Sequence, residues 1–166
     1  MAAIDSHGPQ TFSAPIDTQF EIFIDDHRTM IAESLDGLTE AQARRRLVNS
    51  NTTMLGLVKH AAFVERVWFG EAISGQSRAE LGIAPNPEVS FELDEADTIE
   101  SVRADHRLAC EQSRRATADL SRDDLVTGNR RGPLPLRWVY LHVLRELAQH
   151  CGHADILREQ LLGSTE

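Results

Sequence analysis

His60, Glu146 and His150 are ionisable residues placed where apolar ones are expected. Glu146 and His150 are four residues apart, so on a helix they stack one turn over the other. His150 falls within an apolar stripe with Val143, Leu147 and Ala154, and Glu146 lies at its edge beside Val139 and Val143. His60 sits between Leu57 and Val64, in the middle of a second stripe. Burying such groups costs several kcal/mol unless they are paired or bind a metal. An imidazole facing a carboxylate and an imidazole from another helix offers two nitrogens and one oxygen. That set suits zinc, with nickel or another borderline divalent ion as the alternative, and leaves a fourth position for water or substrate. The spacing fits equally a hydrogen-bonded Glu–His couple in a core.

The other histidines are weighed by position. His142 lies one turn before Glu146 and His153 three residues after His150. Each reads either as a partner fixing a ligand's tautomer or touching substrate, or as a solvated rim residue. His27 and His106 take stripe positions elsewhere and read as core or bundle-end residues. Trp68, Phe63 and Trp138 read as packing residues. Cys110 and Cys151 are the only cysteines and form no CxxC, which suits free thiols in a reducing cytoplasm. Nothing around Cys151 predicts a thiolate, so it is not read as a nucleophile.

Four long amphipathic segments must position these groups. The first runs from Asp17 to Asp36-Gly37 with the stripe Phe20, Phe23, Ile24, His27, Ile31, Leu35 and Leu38. A brief helix follows from Thr39 to Arg46. The second long segment starts at the cap cluster Ser50-Asn51-Thr52-Thr53 and closes at Gly75. Residues 76 to 93, with Gly82, Pro85 and Pro87, read as a long loop. Asp94 and Asp97 cap a third segment whose stripe runs from Ile99 to Leu120. The fourth spans Pro135 to Leu162 and stops at Gly163. The pattern predicts an all-α, antiparallel four-helix bundle over residues 17–163, with an N-terminal arm at 1–16 and a tail at 164–166.

Composition narrows the function. The chain has 166 residues, 41% of them hydrophobic, which is enough for one cored domain. Seventeen Lys and Arg face 26 Asp and Glu, a net charge of −9. An acidic chain without a basic stripe is a poor partner for nucleic acid or an anionic membrane. No apolar run reaches membrane-spanning length. The start MAAIDSHGPQTFSAPID has neither a basic nor an apolar stretch, so a cytoplasmic setting is expected. Leu141 and Ile156 are apolar residues off the stripe of the last helix and allow a homodimer.

Two segments carry a family resemblance. TTMLGLVKHAAFVERVWF, residues 52–69, resembles the second helix of DinB-like bundles. LRWVYLHVLRELAQHCGHADILREQLLG, residues 136–163, resembles the last helix of an actinobacterial branch once labelled mini-circle proteins, related to mycothiol-dependent maleylpyruvate isomerase. DDHRTM and GLTEAQARRRLVNS fit the first helix and the turn after it. The resemblance implies a bundle that binds a divalent metal through one histidine of the second helix and two residues of the fourth, here His60, Glu146 and His150. It implies an enzyme working on a small molecule, with a low-molecular-weight thiol of the mycothiol type as co-substrate for S-transfer or isomerisation. Asp155 and Arg158 are then expected to contact the thiol's polar arms. Arg145 stands where the branch has an acid and Gln149 where it has arginine, so the rim of the site departs from the pattern. A metal hydrolase with Glu71 as the added base is the rival enzyme reading. A non-catalytic, stress-related bundle with a structural metal is the rival from another class.

Overall fold

The computed structural model describes residues 8–163. Most of the expected arm's first half, residues 1–7, and the tail 164–166 lie outside the described residues. The rest of the arm holds one helical turn, α1 (Pro9–Phe12), before α2 (Ile16–Glu33). A capping box between Thr39 and Gln42 opens α3 (Glu40–Arg44). The Thr53 side chain accepts the Gly56 N–H at 3.0 Å and opens α4 (Met54–Glu65). The last two long helices are α6 (Ile99–Thr117) and α7 (Leu136–Gly163). The fold is the expected all-α bundle. No described helix is long and apolar enough to cross a membrane.

Helix α4 is the centre of the packing. It lies against both α6 and α7, while α2 packs chiefly on α7. For that reason α4 is buried nearly all round, from Met54 to Glu65 with Lys59 excepted. A helix apolar on one face only would leave one of these neighbours without a core.

Several local expectations are corrected. The second long segment is not one α-helix: after α4 the chain runs as a π-helix over Arg66–Glu71, then as α5 (Ala72–Ser74), and stops at Gly75 with φ +73°. Thr98, not Asp94 or Asp97, caps α6 through a capping box with Ser101. Asp97 instead takes the Lys59 ammonium at 2.7 Å. Pro135 ends a two-residue strand, β2 (Leu134–Pro135), which pairs antiparallel with β1 (Leu125–Val126) ahead of α7.

The face of α2 is also rotated from the expected stripe. Phe23 is exposed and His27 is half-buried, its Nδ1 2.6 Å from its own helix's Phe23 carbonyl. Ile24, Arg28 and Ile31 are the buried positions. Arg28 is drawn inward by Glu65, whose side chain has no solvent exposure, through Nε–Oε1 and Nη2–Oε2 bonds of 2.9 and 2.7 Å. Burial by itself would lower the Arg28 pKa, but the Glu65 carboxylate more than reverses this and the guanidinium stays charged. The two-pronged pairing satisfies both ions in the core.

Removing one member of this pair leaves the other charge buried alone. Glu65→Ala is expected to cost about 3–5 kcal/mol of unfolding free energy, whereas the double change Arg28→Met with Glu65→Leu should recover most of it. Urea denaturation of the three proteins checks this; a double variant no more stable than the single one contradicts it. His106 gives a second expectation. Desolvation holds its pKa down at about 4 from 6.5, so below 6.5 the unfolded chain takes up a proton that the folded one refuses. The stability present above pH 6.5 is therefore lost as pH falls toward 4, at up to ~1.4 kcal/mol per pH unit. His106→Gln should flatten the stability–pH curve over that window; parallel curves for the two proteins would refute it.

Candidate metal centre

His60 comes from the middle of α4, and Glu146 and His150 from the middle of α7. Each offers a ligand atom, and these atoms all lie within 4.8 Å of one another. The seam between the two helices therefore collects two imidazoles and a carboxylate around one point.

His60 is the most tightly held of the three. Its ring is stacked on Phe91, with centroids 4.0 Å apart and planes at 14°, and meets the His150 ring edge-on at 4.7 Å. Its Nδ1 is 2.6 Å from Ser90 Oγ. Ser90 Oγ donates its own proton to the Pro87 carbonyl at 2.6 Å, so toward His60 it accepts. Nδ1 therefore carries the hydrogen, and Nε2 presents its lone pair. An outer hydrogen bond of this kind fixes a metal-binding tautomer. Ser90 and Phe91 belong to a 3₁₀ turn at Val89–Phe91. Gly56, one turn before His60, lets this turn approach: a Cβ there would stand 2.8 Å from the Phe91 carbonyl oxygen.

His150 Nδ1 is buried and has no hydrogen-bond partner among the described residues. Its Nε2 stands 3.8 Å from Glu146 Oε2. Glu146 Oε1 lies 3.7 Å from His142 Nε2 and 3.2 Å from Arg145 Nη2. Arg145 Nη2 also donates to His142 Nδ1 at 2.9 Å, which leaves the His142 proton on Nε2, facing Glu146. Desolvation pushes the His60 pKa down to about 3, helped by His150. Desolvation also lowers His150 and His142, against the pull of Glu146. All three rings are thus neutral near pH 7, and His60 and His150 each keep a lone pair for coordination, whereas that of His142 is taken by Arg145. A buried ring nitrogen without a partner beside a half-buried carboxylate is an arrangement that a cation completes. The residues fit a divalent ion, and the N₂O donor set fits zinc.

A cleft of about 260 Å³ opens beside the trio. One wall is aromatic: Phe63, Trp68 and His142 line it, with Trp68 meeting the His142 ring at 4.2 Å, while Trp138, outside the lining, stacks on His142 at 5.0 Å and 8°. The π-helix supplies Val67, Trp68 and Glu71 to this wall. Its extra residue per turn re-aims side chains that a regular helix would point elsewhere, a common device at functional sites.

The remaining expected residues are spread out. His142 lines the cleft. His153 is exposed, with its ring 5.6 Å from that of His150. Asp155 is exposed, and Arg158 donates to the Ser34 carbonyl at the end of α2 at 2.8 Å. Neither lines the cleft. Ser90 and Phe91 were hidden in what reads as a plain loop. The one available signal was Asn86-Pro87, where Asn86 Oδ1 accepts the Val89 N–H at 2.9 Å and starts the turn.

The sequence model of the family described as MST, mycothiol-S-transferase, matches residues 19–163. No curated protein matches the chain.

Ser90→Ala removes the acceptor for His60 Nδ1 and leaves the ring free to change tautomer. Zinc affinity of chelator-stripped protein is expected to fall about 10–100-fold, with helical circular dichroism intact. An unaltered calorimetric affinity would show that Ser90 does not orient the ligand.

Proposed function

We propose, from the premise that the chain belongs to the mycothiol-S-transferase family of the DinB-like superfamily, that it catalyses transfer of a small thiol's sulfur to an electrophilic carbon at the seam of α4 and α7. The observation that carries this reading is the convergence of His60, Glu146 and His150 beside an open, aromatic-walled cleft. These three residues would hold a divalent ion, zinc by its donor preference. Such an ion lowers the pKa of a thiol and keeps it as the thiolate near neutral pH.

The protein's own residues set the conditions. Ser90 and Phe91 fix the tautomer and plane of His60. Arg145 and His142 both face Glu146 and limit the orientations of its carboxylate. Trp68 and Phe63 line the cleft with apolar surface, which thins the water around a reacting sulfur. In the net reaction the S–H proton leaves to solvent, a C–S bond forms, and the leaving group departs with its bonding pair. The sulfur must come from outside the chain. Burial pushes the Cys110 thiol up to about 12, with Glu65 adding to the effect. Burial, with Asp155, pushes Cys151 up to about 11. Neither supplies a thiolate at neutral pH. An added base would favour the hydrolase alternative, and the candidate for it, Glu71, has its Oε2 paired with Arg78 Nε at 3.0 Å.

Chelator-stripped protein should show no mycothiol conjugation of an aryl chloride above the uncatalysed rate, and stoichiometric zinc should restore it. His60→Ala, if it retains wild-type helical content, should not be restored by zinc. Equal rates with and without metal would overturn the assignment.

A further inference from the structure

The cleft beside the metal centre is basic, although the protein is acidic overall. Four arginines line it, Arg78, Arg130, Arg131 and Arg145, against two carboxylates, Glu71 and Glu146. Arg78 is answered by Glu71 at 3.0 Å and Arg145 by Glu146 at 3.2 Å. Arg130 and Arg131 form no ion pair among the described residues, so two guanidinium charges stand unanswered at the cleft. Many of the protein's arginines, by contrast, are matched with an acid: Arg28, Arg66, Arg103, Arg114 and Arg122 all are.

The two free arginines are held there by structure. They sit in the loop between β1 and β2. Gly128 donates its N–H to the Ala72 carbonyl at 2.9 Å, and a Cβ at Gly128 would overlap the Glu71 carbonyl. The loop is thus pinned against the end of the π-helix by a contact only glycine permits. Within the loop, Asn129 Oδ1 accepts the Arg131 N–H at 2.8 Å and Asn129 Nδ2 donates to the Gly132 carbonyl at 3.0 Å. The Arg131 guanidinium lies 6.0 Å from the Trp68 ring and 5.8 Å from the Trp138 ring. Aromatic faces of this kind hold a guanidinium in place while leaving its N–H fork free.

We infer that the electrophilic substrate is a small carboxylate, bound through its anionic end by Arg130 and Arg131 while its reactive carbon faces the metal centre. This rests on the S-transfer reading above. There, the charge of the thiolate is met by the cation, so the guanidiniums are left for the second substrate. A planar, forked pair of donors matches a carboxylate in two-pronged geometry. The Trp68 indole and the Phe63 ring, both lining the cleft, add apolar surface for an unsaturated or aromatic body behind that carboxylate.

The test compares 4-chloro-3,5-dinitrobenzoate with its carboxamide as electrophiles for the zinc-loaded protein and mycothiol. In both, the C–S bond forms at the carbon that loses chloride. The wild type should prefer the carboxylate in kcat/KM, with the preference shrinking as salt is added. In Arg130→Gln with Arg131→Gln, that preference should fall by about tenfold or more through KM for the carboxylate. Both side chains are exposed, so the variant is expected to fold; circular dichroism checks this. A preference that is absent in the wild type, or survives in the variant, overturns the inference. So does a variant whose loss lies in KM for the thiol. Calorimetry with unreactive 3,5-dinitrobenzoate separates the two levels of argument. Binding that the variant loses upholds the anion site even if no transfer occurs, in which case only the S-transfer reading fails. No binding to the wild type removes the anion site whatever the turnover.

Discussion

The seam between α4 and α7 holds polar groups that have been taken out of water without being given enough protein partners. His60 is buried against Phe91 with one nitrogen satisfied by Ser90. His150 keeps a buried nitrogen with none. Desolvation stops either ring from relieving this by taking a proton near neutral pH. A divalent ion would satisfy what the protein leaves open.

Much of the irregular backbone serves this seam. The 3₁₀ turn at Val89–Phe91 approaches α4 because Gly56 has no side chain to hold it off. The π-helix at Arg66–Glu71 turns Trp68 into the cleft, and Gly128 lets the β1–β2 loop close against the end of that segment. Each departs from regular geometry where a side chain or loop has to be aimed, while the long helices stay regular and carry the core. On the far side of α4, the Arg28–Glu65 pair ties α2 to the same helix that supplies His60. The central helix is therefore restrained at both its site end and its neighbouring turn.

Charge is distributed unevenly for the same reason. The chain carries a net charge of −9, yet its cleft carries guanidinium groups with no internal counter-ion. Local sign, not global sign, is what a small substrate entering the cleft would meet. The buried, protonated state of Cys110 and Cys151 complements this picture. The fold keeps its own sulfur inert near neutral pH.

The four long helical segments, their approximate ends and the register that sets Glu146 over His150 were legible in the sequence, because apolar periodicity records which face of each helix is buried, whereas α1, the π-helix and the 3₁₀ turn were not. The same signal placed His60 in the middle of its face, and the resemblance of residues 52–69 and 136–163 to DinB-like bundles pointed to the family. Periodicity records burial but not partnership. It could not show that Arg28 rather than His27 faces inward, since that depends on Glu65, a residue 37 positions away. It could not find Ser90, 30 positions from His60, in a segment with no repeating pattern. Nor could it place Arg130 and Arg131 in the lining of the cleft that His60 and Glu146 also line. Those facts depend on which surfaces meet once the helices pack, and only the tertiary structure fixes that.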